Sequence, residues 1–407
     1  MNNYTISSDD LIILRDGRPF GEAGIFGGTS LDWPYPQTIA GMVRSAVGFN
    51  SDPDFFKNKA NIPKILSVGI SKITPLLDSG HDEYLLPIPA DLCFTGQEER
   101  QVHVLSCHPL LEGEGTDIRC AHWLYPSLGT AEKPEPKPAF IRQQFAQQYL
   151  DGSLSICTEV HDIDADFVSG PVQETRLHSA IDEYTHSVET GKLFAESGLY
   201  LTAPRSSGAA VQTDDRLYAA QNEHGVLGDI KIGFELSGLE EGMSMPESAY
   251  LGGERRRVAV EMCEDSLYPE VPEMEGNERF LKLLLTTHGD FGSWAPQWLV
   301  PEGDELQCDW VPEPRSGVRI RLRSAILSGW APVSGWDYVK YGPKAFRKLV
   351  CPGSVYLVEL EDPAQSQKLV ESLWGKSICE SGSQSELDGY GQVVVAKGMH
   401  IFEGRSK

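Results

Sequence analysis

The feature that most constrains this chain is an apolar stripe within residues 36–48, preceded by a glycine-spaced loop. Ile39, Met42, Val43, Ala46 and Val47 recur at i, i+3, i+4, i+7 and i+8, the spacing of one face of an α-helix. Pro36 suits the first turn, and Gly48 stands where a helix ends in a left-handed residue. The stripe predicts a first helix docked on a sheet. Its other side carries Gln37, Thr38, Gly41, Arg44 and Ser45. Gly41 leaves room for a neighbouring backbone, and Arg44 offers a planar fork of donors to a phosphate or a carboxylate. Gly21, Gly24, Gly27 and Gly28 lead into the amino end, where free N–H groups and the helix dipole favour an anion. The loop and Arg44 read either as a seat for a polyanion or as ordinary packing.

A chain of 407 residues has room for two domains, and 40% hydrophobic with 23% charged residues is the balance of a soluble globular protein. No apolar run reaches bilayer length, and MNNYTISSDD lacks a basic-then-apolar signal pattern, so a cytoplasmic protein with no membrane partner is expected. The 8 cysteines form no CxxC pair, which points to reduced thiols. A net charge of −24 excludes a general nucleic-acid binder with a basic surface. A local basic groove then requires that the acidic residues be segregated elsewhere.

Along the chain, residues 4–14 predict a strand, Asp52-Pro53 a short helix carrying Phe55 and Phe56, and residues 65–73 a second strand. Residues 84–94 are extended but broken by prolines. Strand, helix, strand, strand opens a ferredoxin-like unit. Residues 101–170, with EGEGTD, AEKPEPKPAF and HDIDADF, break this rhythm and read as an insertion or surface loops rather than another core. His103, Cys107, His108, Cys120 and His122 are the clustered metal-ligand types. They lack the paired spacing of a structural zinc site, so no metal or cofactor is expected. His161, Asp162, Asp164 and Asp166 read as a solvated acidic loop rather than a metal-nuclease centre.

Arg176, His178, Lys192 and Arg205 add cations to residues 174–205, and residues 225–236 predict a strand. LGGERRRVAV, residues 251–260, places Arg255, Arg256 and Arg257 at a glycine turn leading into an apolar strand. The strongly acidic residues 263–279 follow, so charge is segregated here. Arg319, Arg321 and Arg323 alternate with Val318, Ile320 and Leu322, which puts three guanidiniums on one strand face. That face reads equally as one paired with acids or one tracking a phosphate backbone. Residues 324–360 mix aromatic side chains with Lys340, Lys344, Arg347 and Lys348, ending in a strand. Asp362-Pro363 starts a helix whose stripe is Leu369, Val370, Leu373 and Trp374, and Asp388-Gly389-Tyr390-Gly391 turns into the strand QVVVA.

Taken in series, several of these segments resemble one family. They are RDGRPF (15–20), WPYPQTIAGMVRSA, RLHSAIDEYTHSVETGKLF (176–194), LGGERR, LSGWAP, PKAFRKLVCPGSVYLVE and GYGQVVVA. The family is the RAMP-superfamily third subunit of the Cmr module of type III-B CRISPR effector complexes. The resemblance implies an α+β protein of two ferredoxin-like (RRM-like) domains with glycine-rich loops: residues 1–205, with an insertion at about 100–170, and residues 206–407. It implies no catalysis. The expected role is gripping the 5′ repeat-derived tag of the guide RNA beside the large polymerase-like subunit and the backbone RAMP subunit, with a small helical subunit as an indirect neighbour. RNA contact carries over to Arg15, Arg18, Thr38, Arg44, Arg176, Lys192, Arg255, Arg256 and Arg257. Two alternatives stand beside it. One is a metal-independent guide-processing endoribonuclease using His178, Tyr184, His186 and Lys192. The other is a protein-only scaffold, in which the arginines would pair with acids.

Overall fold

The computed structural model describes residues 2–15, 30–96, 100–110, 113–116, 118, 120, 122–206, 225–264, 267–300, 309–337, 342–398 and 400–401. Two antiparallel sheets organise them. In the first, the central strands run in the order Gly69–Asp78, Val226–Ser237, Asn2–Ser7, Arg256–Cys263. In the second the order is Arg319–Ile326, Val355–Leu360, Phe280–Leu285, Gln392–Lys397. Numbered by chain order within each sheet, both read second, third, first, fourth.

The first helix spans Pro36–Ser51 and packs on the first sheet through Ile39, Met42, Val43 and Val47, as its periodicity predicts. Two expectations about it change. Gly48 lies inside the helix rather than at its end; a Cβ there would come within 2.7 Å of the Phe56 ring, so the glycine makes room for the following aromatic turn. Gly41 has no atom within 4 Å of where a Cβ would stand among the described residues, so no described backbone approaches it.

Arg44 is buried, and its guanidinium does not face solvent. It donates to Val68 O at 2.8 Å, to Leu387 O at 3.3 Å and to the Asp388 carboxylate. Of the two partners expected for the fork, a phosphate or a carboxylate, it meets a carboxylate, joining the first helix to the terminal glycine turn. Nearby, Gln392 donates to Ile70 O and accepts from Ile73 N at 2.9 Å.

Two boundaries also change. The strand pairs of Val226–Ser237 and Arg256–Cys263 belong to the first sheet, so sheet membership switches between Cys263 and Phe280, not at 205/206. Residues 101–170 are not surface loops. Phe140–Arg142 and Phe167–Val168 extend the first sheet. Val102, Trp123, Phe145, Tyr149 and Leu150 share one buried cluster with Leu281, Leu283 and Val358 of the second sheet. Asp91 ties these parts together at depth, accepting from Lys282 Nζ at 2.7 Å and from Tyr149 OH at 2.9 Å.

The arginine strand is resolved in favour of acid pairing. Arg319 bonds Glu361 at 2.6 Å, while Arg321, Arg323 and Arg279 all converge on the buried Glu359. Burial alone would raise Glu359, but the hydrogen bonds from Arg321, Arg323 and Arg279 outweigh it and hold the carboxyl below its ordinary range. Helix Ser366–Leu373 buries Leu369, Val370 and Leu373, with Asp362 accepting from Ala364 N just upstream. Among the described residues no helix is long and apolar enough to cross a membrane.

Removing Arg44 should thus act on stability. Arg44→Met would leave Asp388 uncompensated and two carbonyls short of a donor, at a cost of about 3–5 kcal/mol in urea unfolding. Unchanged stability with weakened RNA binding would instead restore the phosphate reading.

Candidate nucleic-acid interface

A two-stranded arm, Val172–Ile181 with Val188–Tyr200, has its foot pinned to the body. Ile12 and Leu199 exchange both backbone hydrogen bonds at 2.8 Å, and a Cβ on Gly198 would meet the Leu11 side chain at 2.5 Å. Only glycine lets the strand lie this close. Asp182 shapes the tip by accepting from Tyr184 N and from Thr185 N and Oγ. Glu174, Arg176 and His178 share one face of the arm, with Glu196 paired directly across from Arg176. Arg15 reaches Glu196 at 3.3 Å. Arg176 bonds Glu174 at 3.0 Å and Tyr200 OH at 2.7 Å.

The glycine turn of residues 252–255 docks on the same segment. Gly253 N donates to Ile13 O at 2.7 Å, and Gly252 adopts φ 75°, where a side chain would collide with that carbonyl. Glu254 and Arg255 follow with φ 54° and 53°, an uncommon conformation for residues with a Cβ and one that turns Arg255 outward. Arg255 lies 5.1 Å over the exposed Tyr250 ring. Arg256 bridges Asp10 and Glu254 at 3.0 and 3.1 Å, and Arg257 donates to Ser248 Oγ at 3.2 Å. Asp10 is held below the ordinary carboxylate range by the hydrogen bond from Leu11 N, with Arg256 adding to it against partial burial.

Three segments far apart in sequence thus bring Arg15, Arg176 and Arg256 together around Glu196, Glu174 and Asp10, with Arg255 in the adjoining turn; Arg257, next to Arg256 on the strand, lies on its opposite face across from Tyr250. Arg15, Arg176 and Arg256 already face carboxylates. Arg255 and Arg257 have no acidic partner among the described residues. The Arg256 pairs to Asp10 and Glu254 are partly exposed and contribute about 0–1 kcal/mol, so a phosphate can replace those carboxylates at little cost, whereas Glu196, the partner of Arg15, is buried. Thr38 is half-buried in the first turn of the helix and lies apart from this group. Lys192 lies on the second strand of the arm, and its side chain, like Arg18 and the loop of residues 21–28, falls outside the described residues. The endoribonuclease set is not gathered: His178 lies along the strand opposite Phe194, whereas Tyr184 and His186 occupy the tip turn.

A second feature lay beyond the sequence reading. A cleft of about 670 Å³ opens between the two sheets, with Trp33, Tyr35, Phe140 and Val172 on one side and Thr287, His288 and Ala331 on the other. The Tyr35 and His288 rings meet edge-on at 4.7 Å. Burial pushes the imidazole down to about 4, so it is neutral at pH 7. Lys137 also lines the cleft, donates to Ala90 O at 3.2 Å, and is lowered by burial. The run WPYP was a visible aromatic signal. Its facing wall comes from residues some 250 positions on.

No group of three or more metal-ligating side chains forms among the described residues. His103 is engaged by Thr95 at 2.9 Å, His108 by Pro109 O at 2.8 Å, and Cys107 is buried. Cys93, Cys107, Cys157, Cys263, Cys351 and Cys379 are free, whereas Cys120 is disulfide-bonded, which departs from the expectation of reduced thiols throughout.

Among families, the one described as CRISPR-associated protein (Cas_Cmr3) matches residues 4–397. Among solved structures, the chain is similar to one in the type III-B Cmr-beta complex bound to cognate target RNA and AMPPnP, at 13% identity and TM-score 0.46, covering 97% of this chain and 99% of that one. It is also similar to one in the Csm3–Csm4 subcomplex of the type III-A CRISPR-Cas interference complex, at 11% identity and TM-score 0.38, covering 98% and 99%. No curated protein matches.

The neutral His288 predicts an acid response. Its folded pKa lies below its unfolded value near 6.5, so the unfolded chain takes up the proton first and stability falls as pH drops from about 6.5 toward 4. His288→Phe should remove up to about 3 kcal/mol of that loss. Urea melts of both proteins at pH 7 and pH 4.5 measure it; parallel losses would show that the imidazole is not the group responsible.

Proposed function

The chain belongs to the family of CRISPR-associated proteins described as Cas_Cmr3, and from that premise we propose that it is a subunit of a type III CRISPR effector complex of the Cmr kind. In this reading it binds the 5′ repeat-derived tag of the guide RNA and bridges the large polymerase-like subunit to the backbone, without catalysing a reaction itself. Each half is taken as ferredoxin-like. The repeated strand order, second, third, first, fourth, supports that, as does a helix between first and second strands in one half and between third and fourth in the other.

The observation that carries the RNA-holding role is the convergence of Arg15, Arg176 and Arg256 at the foot of the arm, with Arg255 and Arg257 on the adjoining glycine turn and strand, in a chain of net charge −24. Local cations against an acidic whole favour a selective contact over indiscriminate binding. Phosphates would lie on the guanidiniums, with Arg255 and Arg257 free to take them first. Guide–target pairing would read sequence while this protein reads backbone and shape.

The protein-only scaffold retains one argument of its own, because Arg15, Arg176 and Arg256 are paired with Glu196, Glu174 and Asp10. The two readings separate in an assembled complex purified with its genomic neighbours. Arg255→Ala with Arg257→Ala should weaken guide-RNA retention and reduce the slope of log affinity against log salt by about 1.4, at roughly 0.7 per phosphate on a single strand. Crosslinks from this chain should fall on the constant 5′ segment. An RNA-free complex, or an unchanged slope with intact assembly, would hand the case to the scaffold.

A further inference from the structure

The ribbon formed by Trp330–Val333 and Arg347–Val350 has no part in the site above, yet it concentrates cations and aromatic rings. Its two faces differ by the strict alternation of strands. Val333 and Leu349 point inward into a small core with Tyr35 and Tyr390. Arg347 is also turned inward, bonded to Asp290 and, at 2.8 Å, to Gln37 Oε1. The opposite face presents Trp330, Pro332 and Lys348, all exposed, and Lys344 and Phe346 continue it in the adjoining turn. Phe346 is 69% exposed, and Lys348 Nζ sits 4.1 Å from the centre of the Trp330 ring.

Charge decides what such a face fits. Elsewhere the described arginines and lysines are largely paired: Arg319, Arg321, Arg323, Lys231 and Lys282 each face a carboxylate. Lys344 and Lys348 form no ion pair with any described carboxylate, although acids outnumber basic residues 59 to 35. Two uncompensated ammonium groups beside two exposed rings match a ligand that is both polyanionic and rich in flat apolar faces. A duplex hides its base faces within the stack, whereas a single strand offers them.

We propose that the Trp330–Phe346 ribbon is a stacking platform for single-stranded RNA, its bases resting on the two rings and its phosphates paired with Lys344 and Lys348. The proposal rests on the reading that this subunit holds RNA, and it adds a second contact independent of the arginines. Ala331, on the inward face of the ribbon, and Cys351 just after it line one side of the 670 Å³ cleft, while Val172 and Gln173, at the foot of the arm, line the other.

The test uses the full chain and a fluorescein-labelled oligouridine of about twelve nucleotides, a length within the range that single-strand sites cover. Anisotropy titrations compare wild type with Phe346→Ala, Trp330→Ala, the Lys344→Gln/Lys348→Gln pair, and Arg255→Ala/Arg257→Ala. Phe346→Ala and Trp330→Ala should each weaken binding about tenfold, the expected loss of one base stack. Because Phe346 is so exposed, its truncation leaves the fold intact and guards against a misfolded Trp330 variant. The lysine pair should lower the salt slope, and these effects should persist when Arg255 and Arg257 are already replaced. An equally long duplex should be insensitive to the ring truncations. Ribbon variants that bind like wild type while the arginine variant fails would overturn the platform and leave the RNA-holding role standing. No binding by wild type even at low salt would overturn both. Ribbon variants that keep RNA affinity but lose capture of a purified partner subunit would overturn the proposal in favour of a protein contact.

Discussion

The two sheets are held in one arrangement by a backbone defect that a distant side chain repairs. Strand Gly69–Asp78 carries a bulge opposite Gly233–Glu235, with Lys72 at φ 51°. The extra residue takes Ile73 N out of the ladder, and a buried N–H without an acceptor costs about 1–3 kcal/mol. Gln392, at the start of the last strand, supplies that acceptor and returns a donor to Ile70 O. Gly389 permits the approach, since a Cβ there would lie 2.7 Å from Ile73 Cδ1. Arg44 and Asp388 lock the same corner from the first helix. The cleft lies between the two sheets that this junction joins.

Elsewhere charge is used structurally at depth and left loose at the surface. The Asp91–Lys282 pair is almost wholly buried and is backed by Tyr149, so it joins residues 101–170 to the second sheet with fixed geometry. Glu359 collects three guanidiniums, Arg321 and Arg323 from the strand on one side and Arg279 from just before the strand on the other. Buried pairs of this kind add specificity of arrangement more than net stability. Near the arm, Arg256 sits in partly exposed pairs that exchange more readily, while Arg15 meets the buried Glu196. That contrast separates scaffold from candidate contact surface in a protein whose total charge alone argues against nucleic acid.

How much of this could be read without the fold varies with the range of the interaction. The helix stripe from Ile39 to Val47 and the stripe from Leu369 to Leu373 are local periodicities, and both are buried as their spacing requires. The Asp362 cap and the turn at Gly389 are likewise local. Arg44 stayed open between a polyanion seat and packing because a guanidinium opposite an apolar stripe has no visible partner until a second sheet brings Asp388 to it. Residues 101–170 were misjudged for a similar reason. Their prolines and acids hide short apolar runs that become core only when Leu281 and Val358 lie beneath them. The 205/206 boundary failed because LGGERRRVAV announces a strand but not its partner, which is Asn2–Ser7.

By itself, then, the sequence determined the two helices with apolar stripes, most strand positions and the family, because these rest on neighbours within a few residues or on motifs in serial order. Tertiary structure decided which arginines are spent. Arg44, Arg321 and Arg323 are consumed by buried carboxylates brought from far along the chain. Arg255, Arg257, Lys344 and Lys348 are left without acidic partners among the described residues. The reason is electrostatic: pairing depends on separation in space, and no spacing along the chain states which acid a given cation will meet.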